Sequence, residues 1–163
     1  MNAGTVEGSI GDFVSAVYYL HPDGTLGEFK PGSGMTFRAF NAPPRSVLIG
    51  CRLQLHRRPL PDIQKDIKQR LKVKKSTQPL ALASAGWVWK NPPNDLATRL
   101  IEKAGLKGKR INGAEISSKH SNFIVNRGGA MAADILALME MTRERVHAHH
   151  GVTLDHEIRI LGE

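Results

Sequence analysis

The sequence has 163 residues, of which 40% are hydrophobic and 23% are charged. This composition excludes a disordered tail or a collagen-like rod, and it predicts one ordinary domain or two small ones with a buried core. The net charge of +8 favours an anionic partner, which could be nucleic acid, an anionic membrane surface or a phosphate-bearing small molecule.

The first part of the chain carries loop and strand patterns. Residues 1–11 are glycine-rich and predict a loop. The apolar run 13–20 predicts a strand that turns and returns through 26–29 as a hairpin. A glycine- and proline-rich loop follows at 31–44, and the residues 46–56 predict a half-buried strand.

The single cysteine, Cys51, lies among apolar residues of that last strand. One cysteine excludes an intrachain disulfide, and its neighbours predict a small buried core residue rather than a reactive thiol. No apolar run approaches the roughly 20 residues that cross a bilayer, and the first residues lack a secretory pattern. These features predict a cytoplasmic protein without a membrane partner.

The middle of the chain predicts a short basic amphipathic helix, in which Ile63, Ile67 and Leu71 recur at four-residue spacing behind lysines and an arginine. We interpret its charged side as a solvated face. Residues 74–79 combine charge, small polar side chains and proline, and they predict a linker with a domain boundary near it.

The last part of the chain predicts two helices and two strands. The apolar spacing favours helices over 96–104 and 132–150, and Gly151 ends the second one. The residues 123–126 and 154–161 predict short strands.

The segment 84–92 is the richest in candidate chemistry. Its small residues let the backbone approach a ligand, and the indoles of Trp87 and Trp89 offer stacking surfaces. Lys90 and Asn91 add a charge and an amide before a proline turn. The residues alone favour a buried strand with a basic end, and a ligand site is the alternative.

Histidines give weaker signals. His120 could orient a phosphate or pack beside a loop. His147 and His150 are three residues apart and could share a metal, but the spacing indicates no other ligand, so no metal site is predicted. A cationic helix C-terminus explains them more simply. Nucleotide-loop, metalloprotease and hydrolase motifs are missing from the sequence, so the residues alone leave the function open.

Several motifs in a fixed order together resemble one family. They are Ser84-Ala85-Gly86, Lys90-Asn91-Pro92, Ser117 to Asn126 and Gly151 to Ile158, with a looser match at Met1 to Gly4 and Phe37-Arg38. In this order they resemble the C-terminal half of UDP-N-acetylenolpyruvoylglucosamine reductase, the flavin enzyme called MurB.

The resemblance implies an α+β fold, with a partial FAD-binding subdomain over 1–75 and an α/β domain that binds the UDP-sugar substrate over 76–163. It implies a cytoplasmic step of peptidoglycan synthesis in which hydride passes from NADPH to FAD and then to UDP-N-acetylglucosamine enolpyruvate. The family's glycine-rich N-terminal region has no counterpart in the sequence. The chain is therefore expected to be a fragment or a truncated relative that is inactive alone.

The resemblance also assigns catalytic positions. Arg38 matches the arginine that stabilises negative charge on the substrate, and Glu157 matches an assisting glutamate. Trp87 stands where the family has a serine or cysteine that delivers a proton, and an indole N–H is no practical proton donor. The assignment predicts that the Arg38 guanidinium and the Glu157 carboxylate face one cavity walled by the two tryptophans.

The remaining assignments concern ligands and partners. The resemblance implies that Lys90, Asn91 and Lys119 lie near the UDP-sugar, and that Asn2, Ala3 and Gly4 lie near the flavin. A non-catalytic UDP-sugar-binding module, or one that pairs with a separately encoded flavin-binding domain, is the alternative. Nucleic-acid binding through the basic residues 65–75 rests on charge alone and is not favoured.

Overall fold

A computed structural model of the chain describes residues 2–5, 8–30, 35–36 and 39–162. The chain divides into two compact units, Met1–Leu60 and Pro61–Glu163. The units combine antiparallel sheets with helices, so the predicted α+β class is confirmed. The predicted division at residue 75 into a flavin-binding and a substrate-binding domain concerns function and stays a prediction.

The first unit is built from short antiparallel strands. In chain order they are β1 (Gly4–Thr5), β2 (Gly8–Ser9), β3 (Val14–Leu20), β4 (Leu26–Phe29), β5 (Met35–Thr36), β6 (Ala39–Phe40) and β7 (Val47–Leu53). β1 pairs with β2, β5 pairs with β6, and the larger sheet has the order β4-β3-β7. The predicted hairpin is confirmed by the pairing of β3 with β4. The predicted loop over 1–11 is wrong, since part of it forms the β1-β2 ladder.

Strand β7 forms where a strand was predicted, but its predicted half-burial is wrong. All seven of its residues are exposed, including Cys51, so the prediction of a core cysteine is wrong as well. β7 pairs with β3 along one edge only among the described strands. Its apolar residues run consecutively instead of alternating, and such a pattern cannot tell which face of a strand is covered.

The second part of the chain holds three helices and a sheet among the residues described. The elements are α1 (Leu60–Thr77), β8 (Ala83–Trp87), α2 (Ala97–Lys103), β9 (Arg110–Ile111), β10 (Ala114–Ile116), β11 (Phe123–Asn126) and α3 (Ala132–His150). The sheet has the order β8-β11-β10-β9 and is antiparallel throughout. β11 and α3 have the predicted bounds. None of the described helices is long and apolar enough to span a bilayer.

Helix α1 extends through most of the predicted linker at 74–79, so the linker prediction is wrong for residues 74–77. The hydroxyls of Ser76 and Thr77 donate to the Val73 carbonyl at 2.9 and 2.8 Å and close the last turn. Lys74 and Lys75 also favour this end, because cations interact well with the partial negative charge of a helix C-terminus.

Helix α3 supplies much of the core of the second unit. Leu138 and Val146 are fully buried, and Thr142 donates to the Leu138 carbonyl at 2.7 Å. The helix begins after Met131, whose side chain makes no capping bond, and it ends at Gly151 with a left-handed φ of 66°. One hydrophobic cluster of this core contains Val88, Trp89, Ala97, Leu100, Ile101, Ala104, Leu106, Ala114, Ile116, Ile124, Leu138, Met139, Val146 and Leu154.

The predicted strand over 154–161 is wrong. In this stretch a single antiparallel bridge joins Trp89 to His156, and the flanking residues are irregular. The apolar residues there alternate only loosely with polar ones, which is too weak a pattern to sustain a ladder.

One buried carboxylate ties the far edge of this sheet. Glu115 is 2% exposed and accepts hydrogen bonds from Arg127 Nη2 at 2.9 Å and from Arg110. Arg127 and then Arg110 hold the pKa of Glu115 below its ordinary value, against the opposing effect of burial. Since the folded pKa lies below the unfolded one, this pairing stabilises the fold above the unfolded-state pKa and is lost as the pH falls through the folded one.

Glu115→Gln is therefore expected to make the free energy of unfolding depend less steeply on pH in acid. Below about pH 4 the free energy of unfolding should fall more steeply for the unsubstituted chain than for the variant. Urea titrations at a series of pH values measure this. The matched control is Glu140→Gln, which removes an exposed Glu–Arg pair on α3 and should keep the unsubstituted slope. Equal slopes for all three proteins would contradict the prediction.

Candidate functional site

The segment that follows β8 is held from one side by Asn122. Val88 N donates to the Asn122 carbonyl at 2.9 Å. The Asn122 side chain bonds Trp89 twice, with Oδ1 accepting from Trp89 N and Nδ2 donating to Trp89 O, both at 2.8 Å. The chain after Trp87 therefore keeps sheet-like pairing although the strand has ended.

The other side of the same segment is held by the C-terminal residues. Glu157 N donates to the Val88 carbonyl at 2.7 Å, and Lys90 N donates to the Asp155 carbonyl at 2.9 Å. These bonds flank the bridge between Trp89 and His156. Three segments far apart in sequence, 87–91, 120–123 and 155–157, thus meet within the second unit.

Trp87 forms an aromatic cluster with His120 and Phe123. The rings of Trp87 and His120 stack with centroids 5.8 Å apart at 27°, and Phe123 meets the imidazole edge-on at 5.0 Å. Burial lowers the pKa of His120, and Glu102 partly opposes this effect. Asn122 N donates to His120 Nδ1 at 3.3 Å, a contact that favours the neutral tautomer with its proton on Nε2.

Trp89 plays a different part from Trp87, and the prediction that both indoles offer stacking surfaces is wrong for it. Its side chain is 1% exposed and belongs to the core, with the Arg143 guanidinium 5.6 Å from the ring centroid. Trp87, by contrast, is only partly buried.

The predicted substrate residues lie around this segment. Lys90 and Asn91 are exposed, and Asn91 Oδ1 accepts from Ala97 N at 3.0 Å, which satisfies a free backbone donor at the start of α2. Lys119 Nζ donates to the Lys75 carbonyl at the end of α1. This bond ties the end of α1 to the residue before His120, whose ring stacks on Trp87.

Comparison with known proteins identifies the family. Residues 78–161 match the family model "UDP-N-acetylenolpyruvoylglucosamine reductase, C-terminal domain". The chain belongs to this reductase family. The match confirms the resemblance inferred from the motifs, and it includes Trp87, Lys90, Asn91, Lys119 and Glu157.

Relatives of this reductase family match beyond the C-terminal domain. The UDP-N-acetylenolpyruvoylglucosamine reductases of Moorella thermoacetica and Anaeromyxobacter dehalogenans are 40% and 38% identical over 100% of this chain, which covers 54% and 50% of their lengths. The crystal structure of UDP-N-acetylenolpyruvylglucosamine reductase (MurB) from Thermus caldophilus aligns with a TM-score of 0.83 at 38% identity, over 98% of this chain and 57% of that one. The chain thus spans about half the length of the curated relatives it matches.

Of the residues assigned to the reductase site in the first unit, some lie among the described residues and one does not. Arg38 lies outside the described residues, so the predicted cavity shared by Arg38 and Glu157 stays a prediction. Asn2 Oδ1 accepts from Gly11 N at 2.8 Å, and the Ala3 carbonyl accepts from Ile10 N at 2.8 Å.

Gly4, the third residue assigned to the flavin, lies in β1 and pairs with Ser9.

At the end of α3, His147 Nδ1 lies 3.3 Å from Thr153 Oγ1. The described residues contain no group of three or more His, Cys, Asp or Glu side chains arranged for a metal ion.

Sequence reasoning missed Asn122, the residue that joins the parts of the site. It is 1% exposed, and a buried carboxamide needs partners for both its donor and its acceptor. An asparagine directly before an apolar strand was the available signal, but the sequence could not show that its partner is the backbone of Trp89.

Proposed function

We propose that the second unit binds the UDP-sugar substrate of the reductase reaction, and that the chain takes part in reducing UDP-N-acetylglucosamine enolpyruvate to UDP-N-acetylmuramate in the cytoplasm. The observation that carries the proposal is the meeting of 87–91, 120–123 and 155–157 within one unit that belongs to the reductase family. Each of these segments contains a residue assigned to the site or lies directly beside one.

Charge supports the binding of a diphosphate at this place. Lys90 is exposed on a backbone that is bonded on both sides, and Lys119 directly precedes His120, whose ring stacks on Trp87. Lysine binds phosphate as a point charge, which suits a flexible diphosphate. Asn91 adds an amide whose oxygen is already engaged with α2, and we propose that its NH₂ group is the part that donates to the ligand.

The proposed reaction needs charge stabilisation as well as hydride. FAD, reduced by NADPH, supplies the hydride when it is bound. Addition of hydride to one enol carbon leaves negative charge that spreads onto the substrate carboxylate. In the proposal Arg38 stabilises this charge and Glu157 assists, while water supplies the proton that completes the reduction, because Trp87 occupies the position of the family's proton donor.

The flavin contacts of this chain are proposed to be backbone contacts at Asn2, Ala3 and Gly4. The Asn2 carboxamide oxygen already holds Gly11, and the Ala3 carbonyl holds Ile10. These bonds fix the conformation of residues 2–4, and in the proposal this segment forms one edge of the flavin site. The relatives are about twice as long, and we propose that the regions beyond this match supply most of the flavin contacts.

A second candidate function is a UDP-sugar-binding module without catalysis, alone or with a separate flavin-binding domain as partner. Trp87 is the observation that favours it. The indole stacks on His120 where the family pattern has a hydroxyl or thiol, and it cannot deliver a proton to carbon.

The two candidates are separated by testing the purified chain directly. Flavin absorbance together with NADPH oxidation that depends on the enolpyruvyl substrate would establish the reductase. Saturable binding of UDP-N-acetylglucosamine without flavin would establish the binding module. Lys90→Ala should weaken that binding by about tenfold or more, as expected for one lost charge-assisted contact.

The matched control is Lys109→Ala, which removes another exposed lysine of the second unit and should leave the binding unchanged. Binding of DNA that weakens with salt, in place of UDP-sugar binding, would overturn the proposal.

A further inference from the structure

Asn122 uses all of its polar groups on the segments that form the candidate site. Its side chain bonds both backbone groups of Trp89 at 2.8 Å, its carbonyl accepts from Val88 N at 2.9 Å, and its own N–H donates to His120 Nδ1 at 3.3 Å. One buried residue therefore links the segment 87–91 to the aromatic cluster.

The bonds to Trp89 require a carboxamide of this length. A peptide-like donor and acceptor must face the Trp89 N–H and C=O together, as a neighbouring strand would. Without the carboxamide, both backbone groups of a residue that is 1% exposed lose a partner. Buried backbone groups without partners are rarely tolerated, so the segment would have to move to regain bonds.

The residues that follow Trp89 depend on this placement. Lys90 is bonded to Asp155 through its N–H, and Asn91 is bonded to Ala97 at the start of α2. Because Lys90 and Asn91 directly follow Trp89 in the chain, a shift of Trp89 would strain these two bonds and change the position of Lys90 relative to α2 and the C-terminal segment.

We propose that Asn122 is a positioning residue whose carboxamide, by fixing the Trp89 backbone, places Lys90 and Asn91 to bind the uridine diphosphate group of a sugar nucleotide. This inference rests on the proposed function, since it concerns the same site. Asn122 acts through the backbone and does not itself touch the ligand.

The test compares Asn122→Ala and Asn122→Asp in the full chain, with UDP-N-acetylglucosamine as the probe. Calorimetry gives the Kd, and amide hydrogen exchange followed by NMR reports on Trp89 N–H and Ala97 N–H. Asn122→Ala should raise the Kd about tenfold or more and speed the exchange of both amides, because the segment must then become ordered during binding.

Asn122→Asp distinguishes positioning from general damage. The carboxylate keeps the acceptor for Trp89 N but faces the Trp89 carbonyl without a donor. Protonation restores an O–H donor. The ratio of the variant's Kd to that of the unsubstituted chain should therefore fall toward one as the pH is lowered through the titration of the introduced carboxyl group, which a merely destabilised fold would not show.

The matched control is Asn126→Ala at the other end of β11. Its Oδ1 also accepts from backbone, at Gly128 N and Ala130 N, so it should loosen that loop and leave the Kd unchanged. If a folded Asn122→Ala variant keeps both the Kd and the amide exchange rates of the unsubstituted chain, the inference about Asn122 is overturned but the proposed function is not. Failure of the unsubstituted chain to bind the probe would overturn the proposed function and, with it, the positioning role given to Asn122.

Discussion

Replacing Gly113 by alanine is expected to lower the free energy of unfolding of the second unit by about 3 kcal/mol. A Cβ at this position would collide with the Gly128 carbonyl oxygen and would lie 2.5 Å from Ala130 N. Both are backbone atoms, which cannot rotate away as the end of a side chain could. Arg127 N also donates to the Gly113 carbonyl at 2.8 Å, so the two backbone segments cannot separate without losing this bond.

Gly108→Ala is the control that separates close contact from backbone strain. Gly108 has a φ of 77°, but a Cβ there would meet nothing within 4 Å, so only the strain of about 1 kcal/mol is expected. Urea unfolding of both variants, followed by circular dichroism, measures the difference. A Gly108 variant that is less stable than the Gly113 variant would contradict the prediction.

The sequence predicted correctly the bounds of those elements whose pattern lies entirely within the element itself. Helix α3 has a sustained apolar spacing and a glycine at its end, and Gly151 indeed adopts the left-handed conformation that few other residues accept. β11 is a short β-branched and aromatic run between polar residues, and both of its bounds were predicted. In these elements sequence and local backbone physics agree, so no distant contact was needed.

Burial could not be predicted in the same way, because it depends on what lies opposite. The residues of β7 are as apolar as those of β3, yet β7 is exposed and β3 holds buried residues. The final segment likewise forms one bridge instead of a strand, and its backbone bonds to Val88 and Lys90 depend on a segment far away in the sequence.

The candidate site shows the same contrast between residues that the sequence could indicate and a residue that only the fold reveals. Motif resemblance assigned Lys90, Asn91 and Glu157 to the site, and these assignments stay predictions; the fold brings the backbone of Glu157 to Val88. The resemblance could not find Asn122, because its role depends on distances to Trp89 that appear only after folding.

Trp89→Ala is expected to cost the second unit about 3–5 kcal/mol, the range for removing a large aromatic side chain from a core. The indole is 1% exposed, so its loss leaves a cavity, and the Arg143 guanidinium loses the ring face it covers. Asn122 would still bond the backbone of residue 89, since those bonds do not involve the indole. The expected result is therefore a large loss of stability with the local backbone pairing retained.

Trp87→Ala provides the matched comparison two residues away. The Trp87 ring is only partly buried, so the variant should lose about 1–2 kcal/mol, less than the Trp89 variant. It should also raise the pKa of His120 toward the ordinary histidine value, because burial is the main cause that lowers it and the stacked indole provides part of that burial. Denaturant unfolding of both variants and an NMR titration of His120 measure these effects. Equal stability losses, or a His120 pKa unmoved by the loss of Trp87, would show that the two tryptophans do not divide into a core residue and a site residue.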